Sequence, residues 1–189
     1  MKIHPFQILA LPNGAKLIFT PCPGTKLVSL EDSILQLKKN QTSMLITLMP
    51  EEEMVANDVI ALPSICHKHQ ITWLQLPIVD DEAPASAFEL QWLKHKQSIL
   101  DEIVNQGVVA VHCKGGTGRT GTVISMLLLQ LGWSVCKIVS EVQAIKPKAL
   151  KIQAQLDYLN TQLVNTRHRI NAVSYLSEEN KSTSPEKTF

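Results

Sequence analysis

The chain has 189 residues, 44% of them hydrophobic and 19% charged, with a formal net charge of +1. That balance fits one globular domain with a sizeable core and lacks the basic field of a nucleic-acid binder. Four cysteines at 22, 66, 113 and 136 form neither a C-x-x-C pair nor a zinc spacing, the Met1–Pro5 start has no signal-peptide pattern, and no apolar run reaches ~18 residues. The expected compartment is a reducing cytoplasm, without membrane insertion.

In chain order, short strands are expected at 6–10 and 16–20 around the Pro12-Asn13-Gly14 turn. A helix over 30–39 has Asp and Glu in its first turn and Lys38-Lys39 at its end, both favourable to the helix dipole. Residues 44–48 read as an apolar strand, 51–55 as a short helix after Pro50, and 59–69 as a helix with Pro63 near its start. Residues 71–76 read as a strand. A long helix over 85–106 follows Pro84, its apolar stripe being Phe88, Trp92, Leu93, Ile99, Leu100 and Ile103. A buried strand at 108–112 then leads into a glycine-rich loop. Helices are expected at 119–131, 134–145 and 149–175, the last burying Ile152, Leu156, Leu159 and Leu163. Trp73, Trp92 and Trp133 read as core. Residues 1–176 are expected to be one folded domain and 177–189, rich in Ser, Thr, Glu and Lys, a disordered tail. Strands alternating with helices give an α/β class with a central, mostly parallel sheet and a site at the C-terminal ends of its strands.

The loop His112-Cys113-Lys114-Gly115-Gly116-Thr117-Gly118-Arg119-Thr120-Gly121 carries the chemistry. Between a strand and a helix N-terminus, unpaired backbone N–H groups and the helix dipole form an anion cradle. The same field favours a thiolate, the nucleophilic form of cysteine. Glycines at 115, 116, 118 and 121 are expected to supply positive φ where the backbone wraps an anion. A nucleophile on the floor of an anion site points to attack on a phosphate ester. Residues 116–121 match the dinucleotide fingerprint G-x-G-x-x-G, with Glu141 about twenty residues on, but that fingerprint normally follows a first strand. A nucleotide P-loop would need Gly at 113 and Lys at 119. An inert buried Cys113 would leave Arg119 and the clustered glycines unexplained. The remaining arginines, Arg167 and Arg169, lie far downstream.

The 112–121 loop resembles the signature loop of cysteine-dependent protein tyrosine and dual-specificity phosphatases. The low-molecular-weight branch carries its loop near the N-terminus, so the order here resembles the dual-specificity branch, and within it the kinase-associated phosphatase group. Leu76-Pro77-Ile78-Val79-Asp80-Asp81-Glu82-Ala83-Pro84 resembles that group's general-acid loop. Pro147-Lys148-Ala149-Leu150 with Gln153 and Gln155 resembles the segment leading into its last helix, and Thr20–Gly24 one of its turns. The resemblance spans roughly residues 5 to 165 and implies a phosphotyrosine-phosphatase-like single-domain fold.

What the resemblance implies residue by residue is a phosphocysteine mechanism. Cys113 would be the nucleophile and Arg119 a bidentate clamp on the phosphate. Thr120 would donate its hydroxyl to the sulfur, and His112 would order the loop by hydrogen bonding. Lys114, Gly115, Gly116, Thr117 and Gly118 would line the phosphate. Counting from Pro77 favours Asp80, which is the expected acid; counting back from Pro84 makes Asp81 the alternative, and at least one carboxylate of the Asp80–Glu82 turn is expected only to cap the next helix. Gln153 and Gln155 could place the attacking water or simply face solvent. Cys66 could protect Cys113 through a disulfide. The expected function is hydrolysis of phosphotyrosine, with phosphoserine and phosphothreonine as further substrates, without metal or cofactor. The partners would be a phosphorylated protein or a small phosphorylated molecule, not nucleic acid. Lys114 makes a phosphoinositide the leading alternative substrate, although no polybasic run or surface helix marks a membrane binder. A phosphate-reading module without turnover and a sulfur transferase are the competing classes.

Overall fold

The computed structural model describes residues 2–164. The strands are β1 (Gln7–Ala10), β2 (Lys16–Pro21), β3 (Met44–Thr47), β4 (Thr72–Gln75) and β5 (Val108–Cys113). They form one sheet in the order β1-β2-β5-β3-β4, with β1 antiparallel to β2 and the other pairings parallel. β5 is buried along its whole length, which suits its unbroken Val-Val-Ala-Val run. Its neighbours are in register so that Cys113 lies opposite Pro21 and His112 opposite Thr47. The C-terminal ends of four parallel strands therefore meet at one edge, where loops can converge on Cys113.

Side chains alternate across the sheet and build two cores. Leu17, Phe19, Ile46, Val109 and Val111 face one layer, packed with residues of α4 (Ser86–Val104), α5 (Gly118–Gln130) and α6 (Val135–Ile145). Ile18, Leu45, Val108 and Ala110 face the other, packed with residues of α1 (Leu30–Lys39), α2 (Glu51–Ala56) and α3 (Leu62–Lys68). α1 begins where Ser29 accepts a hydrogen bond from Asp32 N at 3.1 Å, and carries acids in its first turn and lysines in its last.

Several boundaries differ from the sequence reading, each for a local reason. α3 starts at Leu62 rather than Val59, because Asp58 adopts φ +54 and Leu62 N bonds to Val59 O in a turn. α4 stops at Val104, with Gln106 at φ +65 turning the chain toward β5. Leu93 is 70% exposed, because it lies roughly a third of a turn off the stripe of Phe88, Trp92, Ile99 and Ile103. The last helix begins at 153 and not at 149, since Ala149 N bonds to Lys146 O in a turn and Leu150 takes φ +56. Trp92 is core, whereas Trp73 and Trp133 are half-buried. The expectations for 165–175, the domain end at 176, the 177–189 tail and the positions of Arg167 and Arg169 lie outside the described residues. Among the described residues no helix is long and apolar enough to cross a membrane.

Candidate active site

β5 delivers Cys113 to the sheet edge, and α5 starts five residues later. The intervening loop folds back on the thiol: Gly116 N donates to Cys113 Sγ at 3.2 Å and Thr120 Oγ1 at 3.3 Å. Both donors stabilise negative charge on sulfur. Of the four glycines expected at positive φ, Gly116 alone adopts it, at +68. A Cβ there would sit 2.5 Å from the Thr20 carbonyl and Pro21 N, so β2 forbids any side chain. Gly121 serves instead for close approach, since a Cβ added to it would lie 2.8 Å from Ala149 Cβ, while Gly115 faces open space. Lys114 is exposed, and its carbonyl ties the loop to β2 by accepting from Cys22 N at 3.2 Å. Thr117 caps α5 through its backbone only, its carbonyl accepting from Gly121 N.

Arg119 is the largest of the fully buried side chains, 1% exposed, and both terminal nitrogens of its fork are engaged. Nη1 donates to Glu53 Oε2 at 2.6 Å and to Ile78 O at 3.0 Å, and Nη2 to Glu53 Oε1 at 2.9 Å. Asp80 Oδ1 lies 3.0 Å from Nη2. Burial works against the charged guanidinium, but the Glu53 hydrogen bonds and the charges of Cys113, Glu53 and Asp80 outweigh it and raise its pKa. Glu53, on α2, is a residue that sequence reasoning missed: nothing in a run of three glutamates says which one turns inward.

Asp80 and Asp81 sit in a turn closed by Glu82 N bonding to Val79 O, with Asp81 at φ +60. Asp80 is brought to Arg119, and Asp81 has no such contact. Gln155 is buried rather than solvent-facing, accepting from Thr122 Oγ1 and donating to Glu82 O, so both ends of its amide are occupied. Gln153 is exposed and bonds Asp157.

His112 is fully buried and bonds Thr47 Oγ1 through Nε2 at 2.7 Å; Trp73 Nε1 donates to the same hydroxyl. Burial pushes its pKa down to about 3, against a smaller upward pull from the Cys113 backbone, so it is a neutral strut under the loop. Burial pushes the Cys22 and Cys66 thiols up to about 12, which keeps them protonated. Cys66 belongs to the core on the opposite face of the sheet from Cys113, a placement that works against a protective disulfide between them. Lys146 is a half-buried cation close enough to Cys113 for their charges to interact, although burial lowers its pKa. Among the described residues no cluster of His, Cys, Asp and Glu is arranged to hold a metal ion.

A family model described as the Swiss Army Knife protein DSP-PTPase phosphatase domain matches residues 25–180. No curated protein sequence matches the chain significantly. Among solved structures, a kinase-associated phosphatase with its catalytic cysteine replaced by serine is 19% identical, with a TM-score of 0.75 over 87% of this chain and 98% of that one. Tk-PTP in its active form is 24% identical, with a TM-score of 0.63 over 78% and 90%. PTPMT1 is 19% identical, with a TM-score of 0.68 over 88% and 99%, and has also been crystallised with PI(5)P. These structural likenesses are likenesses of fold.

Proposed function

The chain belongs to the DSP-PTPase family of cysteine-dependent phosphatases, and from that premise we propose that Cys113 is its nucleophile, Arg119 its phosphate clamp and Asp80 its general acid. In the first step the Cys113 thiolate attacks phosphorus. The bond to the leaving oxygen breaks, and that oxygen takes the proton of Asp80. In the second step water attacks the phosphocysteine and gives its proton to the Asp80 carboxylate. The S–P bond breaks, phosphate leaves, and the Thr120 hydroxyl steadies the departing thiolate. The loop N–H groups of 114–119 and the Arg119 fork hold the phosphoryl oxygens while charge moves. Neither step calls for a metal ion.

The observation that carries this reading is the convergence of Gly116 N and Thr120 Oγ1 on one sulfur at 3.2 and 3.3 Å. The proximity of Asp80 to Arg119 supports Asp80 over Asp81 as the acid. Cys113→Ser is expected to abolish turnover of an aryl phosphate while still allowing phosphate or vanadate to bind, with wild-type turnover undiminished by EDTA. Unchanged turnover in the serine variant would overturn the assignment.

The substrate we favour is a phosphorylated protein, with phosphotyrosine preferred and phosphoserine and phosphothreonine also accepted. A second reading, hydrolysis of a phosphoinositide or another small phosphorylated molecule, is favoured by two cations, exposed Lys114 and half-buried Lys146. PTPMT1 binds such a ligand on the same fold. Trapping with the Cys113→Ser protein distinguishes the two. Tighter retention of phosphotyrosyl peptides supports the first reading, and tighter retention of inositol phosphates the second.

A further inference from the structure

In the helical segment 153–164, Gln155 is 1% exposed, while Ala154 before it is exposed and Leu156 after it is half-buried. A glutamine amide tolerates such burial only when both ends find partners. Oε1 accepts from Thr122 Oγ1 at 3.0 Å, and Nε2 donates to the Glu82 carbonyl at 3.2 Å. Thr122 stands one helical turn beyond Gly118, the last glycine of the loop before Arg119, and its hydroxyl also reaches Gly118 O at 3.1 Å. The amide itself lies against Gly118, whose added Cβ would be 3.6 Å from Oε1. Gln155 therefore ties the floor of the site to the carbonyl that ends the Asp80–Asp81 turn.

The turn has a second handle on its other side, where Arg119 holds Ile78 O at 3.0 Å and Asp80 at 3.0 Å. Part of that handle is temporary under the proposed function, on which this inference rests. A substrate phosphate takes the Arg119 fork, and the ion pair to Asp80 is given up when Asp80 turns to the leaving oxygen. Residues 79–82 are exposed, and the Asp80 side chain is 61% exposed, so packing contributes little to holding them. The Gln155 tether persists through that exchange. We propose that Gln155 is a positioning residue for the general acid: it fixes the acid-bearing turn over the signature loop through Glu82 O, and it does not hold the attacking water.

The test uses aryl phosphates with leaving groups of different basicity. Gln155→Leu keeps a similar volume and removes both hydrogen bonds. Its kcat/KM for phenyl phosphate, which reports the step in which the leaving oxygen needs a proton and not the later hydrolysis of the phosphocysteine, is expected to fall by about 10-fold, a fraction of what general-acid catalysis supplies. For dinitrophenyl phosphate, which leaves unprotonated, the change in kcat/KM should stay within about 2-fold, and inhibition by inorganic phosphate should be unchanged. In a protein carrying Asp80→Asn and Asp81→Asn, Gln155→Leu should cost nothing further. A loss equal for all leaving groups, or one that persists without the two aspartates, overturns the proposal. Gln155→Glu supplies an independent arm if the leucine variant does not fold. It keeps the acceptor for Thr122, lacks the N–H for Glu82 O at neutral pH, and should show the same leaving-group dependence. A Cys113→Ser protein that still turns over would overturn the proposed Cys113 mechanism itself, whereas Cys113-dependent turnover with an unchanged leaving-group trend overturns the tether alone.

Discussion

Arg119 carries a full positive charge almost out of reach of water, so its balance has to come from neighbouring carboxylates. Glu53 meets both terminal nitrogens at 2.6 and 2.9 Å and is itself mostly covered, its side chain 19% exposed. Under the proposed function this geometry presets the fork before a phosphate arrives, which reduces the ordering cost of binding. Breaking one partner of such a pair leaves the other charge buried and unmatched. Glu53→Gln is expected to lower the unfolding free energy by about 3 kcal/mol, measured by urea denaturation. It should also weaken inhibition by vanadate, because a guanidinium without its carboxylate is free to leave the phosphate-binding orientation. Full retention of both stability and vanadate affinity would mean that Asp80 and the Ile78 carbonyl suffice to hold Arg119.

At the scale of elements, the N-terminal part of α5 meets the 146–150 turn at a contact with no room for a methyl group. Gly121 in α5 faces Ala149, and an added Cβ would come within 2.8 Å of the alanine's own methyl. Glycine in a helix interior costs about 1 kcal/mol relative to alanine, so Gly121→Ala would stabilise an isolated helix. Here the clash is against a short, backbone-fixed group, and overpacking typically costs about 1–3 kcal/mol. The variant should therefore melt below the wild type, and Ala149→Gly added to it should restore the melting temperature. The contrast explains what is legible in the sequence. α1 announces itself through Ser29, its acidic first turn and its terminal lysines, and β5 through an unbroken apolar run, because those signals are local. The Cys113–Arg119 loop is equally local. The roles of Glu53 and Gln155 are not legible, since their partners Arg119 and Glu82 are 66 and 73 positions away. Residues 149 and 150 read as helix in the sequence because Leu150 accepts a left-handed backbone that apolar periodicity does not reveal.

Across the whole molecule, two histidines are buried neutral beside the β2–β5–β3 seam that supports the site. His4 bonds Thr20 Oγ1 at 2.6 Å, and His112 bonds Thr47 Oγ1 at 2.7 Å. Burial brings His4 down to about 4 and His112 to about 3, from an ordinary value of 6.5. Well above pH 6.5 both rings are neutral whether the chain is folded or unfolded, and they cost nothing. As pH falls below 6.5, the unfolded chain takes up two protons that the folded chain refuses, so stability drops until the folded rings titrate near pH 3–4. With both sites contributing, the loss should be roughly 2–3 kcal/mol per pH unit between about pH 6 and 5, a window above the range where ordinary carboxylates protonate. Urea midpoints measured from about pH 7.5 to 5 would show this slope, and His4→Gln should reduce it by about half, since one of the two titrating rings is gone. A flat profile over that window would mean that both rings can protonate in place. In that case the strut beneath Cys113 would carry charge in weak acid, with His112 Nε2 donating to Thr47 Oγ1 across the same contact.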